Sequence, residues 1–336
     1  MGFHQLSDKI NIEILKQKTS LDLEVSQKKL AKEEELKNII KGEDQRFLVI
    51  VGPCSADNPK AVLTYAKRLA KLEAAFKDKM FLVMRVYTAK PRTNGDGYKG
   101  LVHHSDKLGV FFQARKMHYD IIRETGLLTA DELLYPEMLS VMDDLVSYYA
   151  IGARSVEDQG HRFISSGIDA PVGMKNPTSG NLRVMFNAVY AAQNQQELFY
   201  QNKQVRTDGN LLSHVILRGY HNADDYRSIP NYHYENLLET ITHYEETDLQ
   251  NPFIVVDTNH DNSGKQFLEQ IRIVKSVLAD RQWHTKIRNY VRGFLIESYL
   301  EDGRQDKPDV FGKSITDPCL GWDKTEMLIR DIYNSL

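Results

Sequence analysis

Cysteine is scarce in this sequence: two residues among 336, Cys54 and Cys319, far apart along the chain. That argues against a secreted disulfide framework and favours a reducing, cytoplasmic setting. No apolar run approaches the about 20 residues that cross a bilayer, and the opening MGFHQLSDKINIEILK lacks the apolar core of a signal peptide. Neither sign of charge dominates: 43 Lys and Arg against 46 Asp and Glu leave a net charge of −3. Such a balance has no global nucleic-acid footprint, so any anion must be held by a local cluster. No GxxxxGK[ST] occurs, which excludes a P-loop. Repeats of identical spacing and low-complexity tracts are missing too. With 41% hydrophobic and 26% charged residues, the composition suits a soluble globular protein with a sizeable core.

What the chain does have is a short apolar run ending in a reactive side chain, eight times over. FLVIVGPC ends at Cys54, FLVMR at Arg85, LLTADE at Glu132 and AIGAR at Arg154. PVGMK ends at Lys175, HVILR at Arg218, FIVVDTNH at His260 and FLIE at Glu297. Eight such strands predict an α/β fold, a (β/α)8 TIM barrel that gathers its strand ends at one mouth. A doubly wound sheet is the alternative, but it does not easily converge eight strand ends. Helical spacing recurs between the runs: Asn58-Pro59 is a helix start, followed by Val62, Tyr65, Ala66, Leu69, Leu72 and Phe76. Further helices are expected near 105–125, 137–147, 157–167, 180–193, 233–246 and 323–335, and another through Phe267, Ile271, Val274 and Leu278. Between Lys175 and Arg218 the chain is longer than one helix needs. QELFYQ with a turn around Asp208-Gly209-Asn210 predicts a small inserted β-hairpin before strand six.

Residues 1–46 differ in character. They are polar and charge-rich, with a thin stripe of Leu23, Leu30, Leu36, Ile39 and Ile40, and predict a helix of about 15–18 residues stopped near Gly42. The division is therefore an N-terminal helical arm, 1–46, and a catalytic barrel, 47–336. The stripe wants cover, which points to a homo-oligomer contact or a regulatory role for the arm; a loosely packed helical arm is the equal alternative.

Two sets of reactive residues share the expected mouth. Cys54, His260, Glu297 and Asp317 are candidate metal ligands. A thiolate, an imidazole and two carboxylates suit one divalent ion of the Mn²⁺, Fe²⁺, Co²⁺ or Zn²⁺ kind rather than Mg²⁺ or Ca²⁺. Singly, Cys54 reads as a buried small hydrophobe and His260 as a satisfied polar group; together they read as a site. Arg85, Lys90, Arg92, Lys99, Arg154, Lys175 and Arg218 form the basic set. Buried cations need a carboxylate or a ligand anion, and Glu132 with the metal ligands cannot balance them all. Structural Arg–Glu pairing competes for any one residue; for the set, a phosphorylated polyanion is expected. KPRTNGDGYKG adds a glycine-bearing loop able to fold over it.

Here the sequence resembles a known family. GPCS (52–55), MRVYTAKPRT (84–93), AIGAR (150–154), GMKN (173–176), ILRG (216–219), DTNHDNSGKQ (257–266), ESYL (297–300) and GKSITDPCLGW (312–322) are similar to the motifs of type I 3-deoxy-D-arabino-heptulosonate-7-phosphate (DAHP) synthases of the microbial, aromatic-feedback kind. Order and spacing match from about residue 12 to the C-terminus. The resemblance implies condensation of phosphoenolpyruvate with D-erythrose 4-phosphate and water, opening the shikimate pathway. KPRT separates this family from 3-deoxy-manno-octulosonate-8-phosphate synthase, the alternative enzyme, which would take arabinose 5-phosphate. A non-catalytic barrel that binds phosphometabolites is the reading from another class, and it would predict damage to one of the two residue sets.

By the same resemblance, Cys54, His260, Glu297 and Asp317 hold the metal, and Arg85, Lys90, Arg154, Lys175 and Arg218 contact phosphoenolpyruvate, with Glu132 nearby. Arg92 and Thr93 hold the aldose phosphate. Lys90, Glu132 and His260 are the implied catalytic residues. Lys90 acts as proton donor, with cationic neighbours expected to lower its pKa. The water that adds at C2 belongs either to the metal or to Glu132. The loop TNGDGYKG is one residue longer than the common TTVGWKG form, which leaves the role of Lys99 open. The family's effector pocket involves the arm, the Tyr135-Pro136 segment and residues 164–169. Tyr135 and Asp169 depart from the phenylalanine-sensitive pattern, so tyrosine control or none stays open. A homo-oligomer, dimer or tetramer, is implied, without nucleic-acid or membrane partners. Cys319, two residues past Asp317, could be joined to Cys54 by oxidation if their Cα atoms come within roughly 7 Å; a buried inert thiol is the plainer reading.

Overall fold

A computed structural model describes residues 11–92, 95–103 and 109–336, together with Gly2 and His4. Eight parallel strands close into a barrel: β1 (Phe47–Gly52), β2 (Met80–Arg85), β3 (Thr129–Glu132), β4 (Tyr148–Ile151), β5 (Val172–Lys175), β6 (Ser213–Leu217), β7 (Ile254–Asp257) and β8 (Val291–Glu297). They neighbour one another in chain order, and β8 closes on β1 with Gly52 opposite Glu297. Helices lie between successive strands, as the (β/α)8 reading requires. The strands are buried on both faces nearly throughout, so they read as continuous apolar runs rather than as alternation. Gly52 is obligatory where β1 leaves the barrel, because a Cβ there would lie 2.4 Å from the Arg85 carbonyl oxygen.

The helix at Pro59–Phe76 starts as expected, with the Asn58 side chain accepting from Lys60 and Ala61 N–H. The 137–147 helix is instead two short pieces, a 3₁₀ turn Pro136–Met138 and a single turn Leu139–Met142. The region near 105–125 yields a helix at Phe112–Thr125, and residues 105–108 of that expectation lie outside the described residues. The inserted hairpin exists as Glu197–Tyr200 paired with Lys203–Arg206, but its turn is Gln201-Asn202, both at positive φ. Asp208-Gly209-Asn210 does different work. Asn210 N–H donates to the Ala192 carbonyl, tying the chain back to the preceding helix before β6.

The arm forms α1 (Ile12–Lys18) and α2 (Leu23–Lys41), and α2 ends at Gly42 with φ 83°. Leu36, Ile39 and Ile40 pack with Leu48, Ile50, Phe81 and Val255 of the barrel interior. Arg292 donates to the Ile39 and Ile40 carbonyls at 3.0 and 3.1 Å, beside the Gly42 N–H that also caps Ile39 at the end of α2. The end of α2 thus plugs the barrel opposite the strand C-termini. Among the described residues no helix is long and apolar enough to cross a membrane.

Candidate active site

At the C-terminal mouth, a cavity of about 190 Å³ is bordered by six cationic side chains: Lys90, Arg92, Arg154, Lys175, Arg218 and Lys265. Glu132, His221, His260 and Asp317 complete its polar wall. Beneath it, donor atoms of Cys54, Glu297 and Asp317 lie within 4.8 Å of one another. His260 stands just off that trio, with Nε2 3.6 Å from Glu297 Oε1 and Nδ1 2.8 Å from Asp257 Oδ2.

These positions follow from local structure. Cys54 and Glu297 sit just past or at the ends of adjacent strands, and both are fully buried. Asp317 reaches them from the loop after β8, where the Ser314 hydroxyl donates to the Asp317 carbonyl. Arg85 ends β2 and is 1% exposed. Its guanidinium lies over the Tyr87 ring, donates to the Pro53 and Cys54 carbonyls, and sits 2.7 Å from Glu297 Oε1. Its Nη1 is buried without a hydrogen-bond partner, a donor left for a ligand oxygen. Arg218 is held at a turn that needs Gly219 (φ 74°), whose Cβ would lie 2.5 Å from Asn262 N.

Two carboxylates unforeseen in the sequence carry much of the charge compensation. Lys175 Nζ is 3.0 Å from Asp257 Oδ2, and Arg218 pairs with Asp261, which also accepts from Ser228. Lys265, likewise unforeseen, lies 3.0 Å from Asp317 Oδ1. Arg154 is exposed at the rim and has no ion pair among the described residues. Half-buried Arg92 donates to the Tyr98 carbonyl at 2.8 Å. Thr93 lies outside the described residues. Lys99 is exposed and does not border the cavity; its carbonyl accepts from Lys90 N–H at 3.0 Å.

The environment of Lys90 differs from the expectation. Its Nζ lies 2.7 Å from Cys54 Sγ and 3.2 Å from Asp317 Oδ2. Burial works to lower its pKa, but Cys54, Asp317 and Glu297 outweigh burial and hold it above the ordinary lysine value. Its nearest charged neighbours are the metal-ligand candidates rather than the other cations, so anionic groups set its charge. Burial, with Glu297, pushes the Cys54 thiol up to about 11. Asp317 is half-buried and Asp257 buried, yet Lys90 and Lys265 hold the first, and His260 and Lys175 the second, well below the carboxylate range. Burial moves His260 down.

A cation already occupies the neighbourhood of the thiol and carboxylates in the form of the Lys90 ammonium. A sulfur, carboxylate oxygens and an imidazole edge fit a borderline divalent ion at that place. Cys319 is a free, buried thiol whose sulfur lies 3.4 Å from Cys54 N.

A barrel with anion-binding cations above a mixed thiol–carboxylate cluster is the frame of a phosphometabolite enzyme. The profile of the DAHP synthetase I family matches residues 20–330, and the chain belongs to that family. The Trp-sensitive phospho-2-dehydro-3-deoxyheptonate aldolase of Buchnera aphidicola subsp. Schizaphis graminum is 35% identical, covering 96% of this chain and 93% of the relative. The Tyr-sensitive enzyme of Escherichia coli K12 is 36% identical over 90% of this chain and 85% of its own. The solved structure of phospho-2-dehydro-3-deoxyheptonate aldolase from Francisella tularensis SCHU S4 superposes with a TM-score of 0.89 at 31% identity, covering 99% and 98% of the two chains.

Proposed function

We propose that this chain, a DAHP synthase by family, condenses phosphoenolpyruvate with D-erythrose 4-phosphate through the residues gathered at the barrel mouth. One observation carries the reading: six cations border one cavity directly above Cys54, Glu297 and Asp317. Neither residue set is damaged, so the non-catalytic barrel has nothing to support it, and the family disfavours the octulosonate alternative.

Cys54, His260, Glu297 and Asp317 are the residues that would hold a divalent ion. When bound, such an ion supplies Lewis acidity to the sugar aldehyde. The rest falls to the chain's own groups. Arg85 Nη1, Lys175, Arg154 and Arg218 bind phosphoenolpyruvate as an anion, with Asp257 and Asp261 orienting two of the cations. Arg92 and Thr93 hold the phosphate of the four-carbon sugar. Carbon 3 of phosphoenolpyruvate attacks the aldehyde carbon, water adds at C2, and the hemiketal phosphate collapses with loss of phosphate. Lys90 is the proton donor near the reacting oxygens, a weaker acid than an ordinary lysine while Cys54, Asp317 and Glu297 hold its proton. Glu132 orients the added water; its carboxyl leans against Gly152, where a Cβ would lie 2.3 Å from Oε1. Lys99 is left without a part in this scheme.

The same proposal includes a cytoplasmic homo-oligomer, dimer or tetramer, with the arm as contact. It also includes an aromatic amino acid effector, as the Trp- and Tyr-sensitive relatives have by name. A cavity of about 400 Å³ bordered by Leu139, Ile168, Asp169, Leu198, Tyr200 and Asp208 offers apolar walls and two carboxylates of the kind such a ligand uses.

The test is phosphoenolpyruvate consumption by purified protein with erythrose 4-phosphate or arabinose 5-phosphate, after chelation and after adding back Mn²⁺. Turnover is expected only with the four-carbon sugar and only with metal. No turnover with either sugar across several divalent metals would overturn the reading.

A further inference from the structure

Asp131 lies between Ala130 and Glu132 at the end of β3 and is 2% exposed. Its Oδ1 accepts from the backbone N–H of Thr88 at 3.0 Å and of Glu132 at 2.8 Å. Its Oδ2 accepts from the Thr88 hydroxyl at 2.5 Å and faces His118 Nε2 at 3.1 Å. His118, fully buried on the helix Phe112–Thr125, has its Nδ1 2.9 Å from the Thr129 hydroxyl oxygen. A carboxylate only accepts, so Nε2 carries a proton toward Asp131, while Nδ1 meets the Thr129 hydroxyl, which also reaches the Leu145 carbonyl at 3.5 Å.

The place of this cluster in the barrel gives it a use. Val86 N–H donates to the Ala130 carbonyl at 2.8 Å, continuing the ladder between β2 and β3. At the next step the Asp131 carboxylate takes two main-chain N–H groups, one from each side. One belongs to Glu132, the other to Thr88, two residues before Lys90. Thr88 is also the anchor of the loop that returns through residue 100. Its carbonyl accepts from Val102 N–H, and a Cβ on Gly100 would lie 2.2 Å from that oxygen. A side chain outside the cavity thus fixes both Glu132 and the base of the Lys90–Arg92 loop. A buried carboxylate with four donors holds such an arrangement stiffly, whereas its removal strands two buried main-chain N–H groups.

We propose that Asp131, oriented by His118, is a positioning residue for the condensation: it sets Glu132 and the Lys90 loop against the substrates without touching them. The inference rests on the assignment of Lys90 and Glu132 to the reaction.

The test uses full-length Asp131→Ala, Asp131→Asn, His118→Leu and Lys90→Ala, each read for kcat, both KM values, Mn²⁺ affinity and melting temperature. Asp131→Asn can keep the cluster. Its oxygen still accepts the two N–H groups, and its amide donates once the His118 proton moves to Nδ1. It is expected to retain kcat within about fivefold, whereas Asp131→Ala loses about 100-fold, the scale of an ångström-sized misplacement of reacting groups. Mn²⁺ affinity is expected to stay within about threefold of the parent in both, because the ligand candidates sit on other strands. Should Asp131→Ala not fold, His118→Leu takes its place, with a loss of about tenfold in kcat expected for one donor removed. A folded Asp131→Ala with kcat within about threefold of the parent overturns the inference, as does equal damage in Asp131→Asn. Unchanged kcat in folded His118→Leu overturns the part given to His118. An inactive Lys90→Ala beside a normal Asp131→Ala sinks this inference alone, whereas an active Lys90→Ala sinks the active-site assignment and this inference with it.

Discussion

Cys54 is where a metal-binding site and an inert buried thiol make opposite predictions. Its sulfur lies beside Lys90 Nζ and 3.5 Å from Asp317 Oδ2, in a pocket where an apolar replacement leaves only a small void. Cys54→Ala is expected to keep its fold, with melting within a few degrees of the parent. It is also expected to weaken Mn²⁺ binding by about 100-fold or more, beyond the loss typical of outer-shell changes. Equilibrium dialysis decides between the readings, and unchanged affinity would remove Cys54 from the ligand set. Such residues can be named in the sequence because a strand-end position is visible as the last letter of an apolar run. Asp257, Asp261 and Lys265 are not legible in that way. Asp257 and Asp261 lie within or just past the FIVVDTNH run, whose reactive end is His260. Nothing in the sequence says which neighbours turn toward Lys175, Arg218 or Asp317. The charge state of Lys90 escapes the sequence for a related reason: one of its partners comes from the loop after β8, more than 200 residues away.

Among the elements, α2 plays two roles along its length. Its last turns seal the barrel floor through Leu36, Ile39 and Ile40, all fully buried. Its first half shows Leu23 at 75% and Leu30 at 61% exposure. Ile39→Ala therefore belongs to stability, with an expected loss of about 2–5 kcal/mol in urea unfolding. Leu30→Glu belongs to assembly, with unfolding changed by no more than about 0.5 kcal/mol per protomer and a drop in mass by sedimentation if the arm is the subunit contact. An unchanged mass would take the oligomer contact away from this stripe. The stripe itself is legible from helical spacing, but its division between barrel floor and outer surface is not, because a period of 3.6 does not say which turns meet a partner. The inserted hairpin shows a similar limit. Asp-Gly-Asn is the stronger turn signal, yet the chain bends at Gln201-Asn202, and Gly209 is spent on close approach to the Gln193 carbonyl. Strand pairing and the return to β6 override the local preference.

For the molecule as a whole, protonation of a histidine in the interior of the barrel opposes folding in the mildly acidic range. His214 is fully buried, donates from Nδ1 to the Leu212 carbonyl at 2.8 Å, and accepts at Nε2 from the Tyr148 hydroxyl at 2.8 Å. The Tyr148 hydroxyl fits beside β5 only because residue 173 is glycine, where a Cβ would lie 2.3 Å from it. A second imidazole proton requires the Tyr148 hydroxyl to turn from donor to acceptor, and burial pushes the pKa down to about 4. The unfolded chain, with an ordinary histidine near 6.5, binds that proton first. The contribution of His214 to stability is therefore complete above about pH 6.5 and is lost as pH falls toward 4, below which both states are protonated. Over that window the loss approaches about 3 kcal/mol from this residue, since each pH unit between the folded and unfolded pKa is worth about 1.4 kcal/mol. Burial also lowers His260, so total stability alone does not isolate the effect. His214→Gln does isolate it: the glutamine has no proton to gain, so urea-unfolding free energy measured between pH 7 and 4 should fall less steeply than in the parent by about that amount. Identical slopes would mean that His214 gains its proton without leaving the folded barrel, and that the acid limit of the fold is set elsewhere.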